Sequence, residues 1–282
     1  MPDPHRLLKT LQRAIQAFQG TPGRRGRFIE IHDVAELMVV GDLHGNLENF
    51  RSILQRAQLG SFPDRHLVLQ EVVHGHYRYP GGGDKSHQLL DLLAALKCQH
   101  SRQVHMLLGN HELAQWTGQA VAKVDADLNV QFREGVNAAY GTQAASIYAA
   151  YQDLFRVLPL VLRTPNRVLL SHSLPSASRM AAFDPLMVEQ DSHEERDLHP
   201  GGAVHALVWG RDTRSATVTA FLQKMDADLL ITGHIPCERG FDVPNERQLI
   251  LDASGTPACY CLFPTGRLLK QQDLINCVGT LG

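Results

Sequence analysis

The run Leu37-Met38-Val39-Val40, which stops at Gly41-Asp42-Leu43-His44-Gly45-Asn46, constrains this chain more than any other stretch. Four apolar residues without alternation read as a strand buried on both faces, and Gly-Asp at its end reads as the exit onto a loop. In an open α/β sheet, chemistry collects at the carboxyl ends of such strands. Asp42 and His44 place a carboxylate oxygen and an imidazole nitrogen there, a pair that a divalent metal accepts. The pattern then repeats. Leu67-Val68-Leu69-Gln70 leads to Glu71, Val104 to Leu108 leads to Gly109-Asn110-His111-Glu112, Val168-Leu169-Leu170-Ser171 leads to His172, and Leu229-Leu230-Ile231-Thr232 leads to Gly233-His234. Five apolar strands that each deliver an oxygen or nitrogen ligand at one end imply one shared site at a sheet edge, with room for two metals.

Composition sets the frame for that site. A chain of 282 residues with 44% hydrophobic and 20% charged residues is ordinary for a soluble globular protein, and no apolar run reaches the length of a membrane span. Met1 to Gln19 carries Asp3, His5, Arg6, Lys9 and Arg13 and lacks the apolar centre of a signal peptide, so a cytoplasmic protein is expected. A net charge of -2 supplies no field for nucleic acid or a membrane surface. The one basic cluster, Arg24-Arg25-Gly26-Arg27, reads as a solvated Gly-rich loop. Five cysteines without Cys-x-x-Cys spacing argue against a disulfide framework and a structural zinc site, and Cys259 and Cys261 read as core thiols on a strand. Histidine, at 15, is the unusual count, and several occupy the ligand positions.

Taken in order, Leu7, Leu8, Leu11, Ala14, Ile15 and Phe18 mark an N-terminal helix ended by Gly20 and Pro22. Residues 1–27 are taken as this helix and a linker, and residues 28–282 as the main domain. Leu47, Phe50, Ile53, Leu54 and Ala57 predict a helix after the first ligand loop. A Gly-rich polar loop follows Glu71, and helix resumes from Leu89 to Leu96. Residues 114–152 are Ala-rich and predict a helical cap beside the cleft. Ser173 to Pro200 is polar and aperiodic, most simply a surface excursion. No internal repeat is visible.

The set Gly41-Asp42-Leu43-His44-Gly45, Gly109-Asn110-His111-Glu112, Ser171-His172 and Gly233-His234 resembles the calcineurin-like metallophosphoesterases, in particular their phosphoprotein phosphatase branch. Leu207-Val208-Trp209 and Gly233-His234-Ile235-Pro236 extend the likeness over roughly Phe28 to Phe263. The resemblance implies an α/β fold with two packed mixed β-sheets flanked by helices, and a dinuclear metal centre at their edge. It implies that Asp42 and His44 hold one metal, Asn110, His172 and His234 the other, and that Glu71 bridges both. Two divalent ions, for which the ligands suit manganese, iron or zinc, would share a water whose pKa falls from near 16 towards ~7 and which attacks phosphorus in line. His111 would protonate the leaving group, and Arg211, with Asn110 and His111, would grip the phosphate.

The departures from that pattern are local. Where the family has Gly-Asp-x-x-Asp-Arg-Gly, this chain has Gln70-Glu71-Val72-Val73-His74-Gly75-His76. Glutamate is longer than aspartate by one C–C bond, ~1.5 Å, so bridging through Glu71 requires a compensating shift of strand end or metals. The family's aspartate that orients the catalytic histidine and its second phosphate arginine are both missing. His74, by binding metal or bonding His111, and Arg78 or Lys85, by reaching the phosphate, are the available substitutes, and Asp84 is a rival carboxylate. The expected function is metal-dependent hydrolysis of phosphomonoesters, from protein or small molecule. Dinucleoside polyphosphate or phosphodiester hydrolysis on the same fold is one alternative, and a weakly catalytic metal- or phosphate-binding regulator is another.

Overall fold

A computed structural model of the chain describes residues 3–123 and 126–281. Its frame is two mixed sheets. One runs in the order Arg24–Arg25, Phe28–Glu30, Val161–Arg163, Val168–Ser171, Leu229–Thr232, Gln248–Leu251, Phe241–Asn245; the other in the order Val278–Thr280, Cys259–Pro264, Glu36–Asp42, Arg65–Gln70, Val104–Leu107. Glu36–Asp42, Arg65–Gln70 and Val104–Leu107 are mutually parallel neighbours in the second sheet, and Val168–Ser171, Leu229–Thr232 and Gln248–Leu251 are so in the first. Parallel strands bring their carboxyl ends to one side, which is what a shared site needs.

Alternate side chains explain why the strand sequences are apolar throughout. Leu37, Val39, Val68, Leu107, Val168, Leu170, Ile231, Leu249 and Leu251 form the layer between the sheets, whereas Met38, Val40, Leu67, Leu69, Met106, Leu169 and Leu230 point outward into the core beneath the helices. Cys259 and Cys261 are buried thiols, as their alternation suggests.

The N-terminal helix, Pro4–Gln19, is part of this core and not an appendage. Its Leu7, Leu11, Ala14 and Phe18 are buried in the same cluster as the helices His87–Gln99 and Ala144–Val157. A boundary at residue 27 therefore falls inside packed structure: Arg24–Arg25 pairs antiparallel with Phe28–Glu30. The basic cluster is only partly solvated. Arg27 is fully buried, donating from Nε and Nη2 to Leu158 O at 2.8 and 2.6 Å and lying over the Trp116 ring, while Arg24 donates to Phe18 O and Arg25 pairs with Glu30 and Glu189. These contacts use Arg24 and Arg27 internally, while Arg25 stays exposed in its ion pairs.

Two further expectations change. The 114–152 stretch is not continuous helix: Asn110–Thr117 ends at Gly118, a two-stranded ribbon of Ala122–Lys123 and Ala126–Asp127 follows, and Leu128–Tyr140 and Ala144–Val157 resume. The segment after His172 is not a surface excursion, because Met180, Phe183, Met187, Val188 and Leu198 anchor its short helical turns in the core. Among the described residues no helix is long and apolar enough to cross a membrane.

Candidate functional site

The strand ends converge. Asp42 closes its strand, and the backbone N–H of His234, from the other sheet, donates to Asp42 Oδ2 at 2.9 Å. Asn110 opens the Asn110–Thr117 helix, so Asn110 and His111 occupy its first turn, where unpaired N–H groups face outward. Glu71 Oε1 accepts the His111 N–H at 2.9 Å, which seats a carboxylate on a helix N-terminus. Asn110 Oδ1 lies 2.9 Å from His172 Nε2 and 2.8 Å from His234 Nδ1, and His172 Nε2 lies 3.0 Å from Glu71 Oε2.

Two groups of potential ligand atoms result, each gathered within 4.8 Å: His44 with Glu71 and His111, and Glu71 with His172 and His234. Glu71 belongs to both. Asp42 joins from the side, its Oδ1 3.7 Å from His172 Nδ1. Of the residues expected to hold metal, the structure thus brings together Asp42, His44, Glu71, Asn110, His172 and His234.

Burial and the crowding of carboxylates set the electrostatics of the site. Burial, then the neighbouring Glu71, pushes the Asp42 carboxyl well above the usual range; burial, then Glu112, does the same to Glu71. Burial also lowers His44 to about 4, His74 to about 3 and His234 to about 2, and depresses His172 and His111. Asp42 Oδ1 is buried and has no hydrogen-bond partner. A buried, unpartnered carboxylate oxygen among neutral imidazoles, with an Asn oxygen beside them, is a donor set that fits hard-to-borderline divalent cations.

The local backbone makes this convergence possible at a cost. His44, Glu71, His74 and His234 all have left-handed backbones, with φ of 43, 38, 61 and 67°. Such conformations in non-glycine residues cluster at functional sites. Gly233 must be glycine for a different reason: a Cβ there would lie 2.3 Å from Asp42 Oδ1.

The site opens into a cavity of about 510 Å³ that is lined by His74, His76, Arg78, His111, Trp209, Arg211, Pro236, Asp252 and the ligand residues other than His172. Arg211 is exposed at its wall and donates from Nε to His234 Nε2 at 3.2 Å. His74 sits behind His111, with Nδ1 facing Nδ1 at 2.5 Å. Its position supports bonding to His111 and not metal ligation. Arg78 lines the cavity, but its guanidinium bonds Gly75 O and Gln131 Oε1 (2.7 Å) and pairs with Asp84 Oδ1 at 3.5 Å, so it braces the loop instead of reaching for phosphate. Lys85 lies over the Tyr79 ring. Asp84 is no rival ligand: its oxygens accept from Gly75 N, Ser86 N and Ser86 Oγ. Gly75 leaves no space for a side chain, since a Cβ would meet His44 O at 2.6 Å.

Three site residues escaped the sequence reading. Asp252 follows the apolar strand Gln248–Leu251 and forms an isolated bridge with Asp42, so the strand-then-acid rule would have flagged it. Glu112 accepts from Val72 N at 2.9 Å and Val73 N at 3.2 Å, holding the loop that carries Glu71 and His74. Gln115, fully buried one helical turn beyond His111, contacts His74 and left no signal in the sequence.

Comparison with known proteins agrees with this geometry. Residues 35–238 match the family described as calcineurin-like phosphoesterase. A probable serine/threonine-protein phosphatase of Encephalitozoon cuniculi is 27% identical over 227 residues, which cover 74% of this chain and 44% of that protein. The chain thus spans less than half the length of that relative. Among solved structures, a protein serine/threonine phosphatase from Saccharomyces cerevisiae, with similarity to human phosphatase PP5, superposes with a TM-score of 0.71 at 16% identity, covering 99% of this chain and 90% of the other. A cold-active protein-tyrosine phosphatase of a psychrophilic Shewanella superposes at 0.62 and 16%, covering 95% and 84%. At these identities the likeness is one of fold.

Proposed function

We infer that this chain, which belongs to the calcineurin-like phosphoesterase family, is a metal-dependent phosphatase that hydrolyses phosphomonoesters. The observation that carries the reading is Glu71, whose carboxylate is common to both ligand groups while Arg211 stands at the cavity wall beside His234. Asp42, His44 and Glu71 would hold one divalent cation, and Glu71, Asn110, His172 and His234 a second. Cations bound there supply Lewis acidity towards phosphoryl oxygens and lower the pKa of water.

The chain's own residues supply the rest. Arg211 offers a guanidinium for the phosphoryl oxygens, the fork geometry best suited to phosphate. His111 turns its Nε2 towards Glu71, 3.6 Å from Oε1, and so reaches the region where a leaving oxygen would stand. Trp209, whose ring lies near-parallel to His111 at a centroid distance of 6.4 Å, and Pro236 supply apolar wall. Substrate binding at this wall excludes water from one side of the phosphate.

The test is to load the purified chain with manganese, iron or zinc, count the bound ions, and assay p-nitrophenyl phosphate, a phosphopeptide and a dinucleoside tetraphosphate side by side. The expected result is turnover of the monoesters and its loss by at least ~100-fold in Arg211→Ala at sub-saturating substrate. Hydrolysis of the dinucleoside substrate alone would overturn the monoesterase assignment, and full metal occupancy with no hydrolysis would favour a binding protein.

A further inference from the structure

A furrow runs along the outside of the loop that carries His44. Two hollows of about 450 and 240 Å³ share Leu47, Arg51 and Gln88 in their walls, and so form one channel across the helices Pro4–Gln19, Leu47–Ala57 and His87–Gln99. Arg6 and Leu92 line one hollow, Tyr77 and Lys85 the other. Leu92 and Tyr77 are 46% and 55% exposed, and Leu47 is common to both hollows. Large apolar side chains scattered singly on a surface need no explanation, but gathered along a concave one they mark a binding site.

The charges along the furrow are of one sign. Among the described residues the side chains of Arg6 and Arg51 are exposed and form no ion pair or hydrogen bond, and Lys85 rests only on the Tyr79 ring. Of the two carboxylates in the lining, Asp91 is buried and accepts from the hydroxyls of Tyr140 and Tyr151, which leaves Glu48 as the exposed one. In a chain of net charge -2 this cationic excess is local. Nucleic acid would need an unbroken basic stripe, whereas here the cations are interleaved with leucine and tyrosine side chains. That alternation matches a polypeptide carrying both carboxylates and apolar side chains.

The furrow also lies next to the catalytic cavity. His44 and His76 line the cavity, while their chain neighbours Gly45 and Tyr77 line the furrow, and a Cβ on Gly45 would come within 3.4 Å of Gly75 Cα. Two touching loop backbones therefore form the wall between them. Such a wall is on the order of 10 Å thick, which an extended peptide crosses in about three residues. We propose that the furrow docks an acidic segment of a phosphoprotein, its carboxylates over Arg6, Arg51 and Lys85 and an apolar side chain against Leu47 and Leu92, while the phosphorylated residue of the same polypeptide occupies the cavity. The substrate role rests on the phosphatase reading above; the chemistry of the docked segment rests on the furrow alone.

Two measurements test it. With the manganese-loaded full chain, phosphoserine peptides are compared that carry a block of Glu and Leu beginning about four residues from the phosphoserine, on either flank, or the same block with Lys for Glu. On one flank the acidic peptide should show a KM at least ~10-fold lower at equal kcat, an advantage that fades at about 1 M salt. Arg6→Glu combined with Arg51→Glu, both on exposed helix surface, should remove that advantage and leave p-nitrophenyl phosphate turnover as in wild type. Independently of turnover, the fluorescein-labelled acidic block without phosphate should bind wild type and bind the double variant at least ~10-fold more weakly by anisotropy. Equal KM values on both flanks, or an advantage that survives the double variant, overturn the proposal. So does a wild-type dimer that Leu92→Asp converts to monomer in sedimentation, which would give the furrow to a second copy of the chain. Absence of hydrolysis for every phosphoester at full metal occupancy overturns the phosphatase reading instead, and the anisotropy measurement then decides the docking by itself.

Discussion

Asp42 ends a strand of one sheet and His234, 192 positions on, follows a strand of the other, yet the His234 N–H donates to Asp42 Oδ2 at 2.9 Å. The bond fixes two ligand loops relative to each other, and it needs Gly233, because a side chain there would displace the Asp42 carboxylate. Gly233→Ala should therefore push the loops apart, since its methyl would lie 2.3 Å from Asp42 Oδ1. Overpacking of this kind costs ~1–3 kcal/mol. The expected outcome is a lower melting temperature together with manganese affinity weakened by ~10-fold or more, read by calorimetry.

Glu71 is the residue on which both ligand groups depend. Glu71→Ala is expected to reduce bound metal from two ions per chain to one or none by elemental analysis, with turnover falling by at least ~100-fold. Two tightly held ions in the variant would mean that another group, Asp252 being nearest in kind, does the bridging.

Glu112 supports Glu71 from below. Removing its carboxylate in Glu112→Ala strands the buried N–H groups of Val72 and Val73, each at ~1–3 kcal/mol, so a loss near 3 kcal/mol is expected in urea denaturation. Glu112→Gln keeps the accepting oxygen and should lose less than half as much. Equal losses in both variants would show that the negative charge, and not the accepted bonds, holds the loop.

Acid sensitivity should come partly from a buried histidine pair whose His66 lies at the start of the strand that leads to Glu71. His66 Nδ1 and His105 Nε2 are 3.0 Å apart and buried, and burial, then Arg102, lowers His66 to about 4. Its unfolded value is near 6.5. Between those values the unfolded chain binds more protons, so stability rises with pH through that window and is lost as pH falls from 6.5 to 4. The loss attributable to His66 is about 3 kcal/mol. His66→Gln should therefore show a smaller difference in unfolding free energy between pH 7 and pH 4 by about that amount.

Much of the site could be read from local sequence because its ligands follow strands that are buried on both faces. The run Leu37 to Val40 announces its two-sided burial, and the polar residue after it must lie at the strand's mouth. The same rule applied to Gln248–Leu251 would have added Asp252. What could not be read depends on partners distant in sequence. Arg27 looks like part of a basic loop until Leu158 and Trp116, from elsewhere in the chain, enclose it. Gln115 is an unremarked helix residue until His74, 41 positions earlier, meets its amide. Ser173 to Pro200 lacks periodicity because its apolar residues enter the core singly from short turns, which no helical or strand repeat describes.

The left-handed corners at His44, Glu71, His74 and His234 carry a consequence for engineering. Glycine would relax each of them by an amount on the order of 1 kcal/mol, while removing an imidazole or carboxylate from the site. Selection of variants for heat resistance alone would reward those exchanges and drift towards a sturdier shell with no chemistry left in it, so any such campaign on this chain has to score metal retention alongside melting.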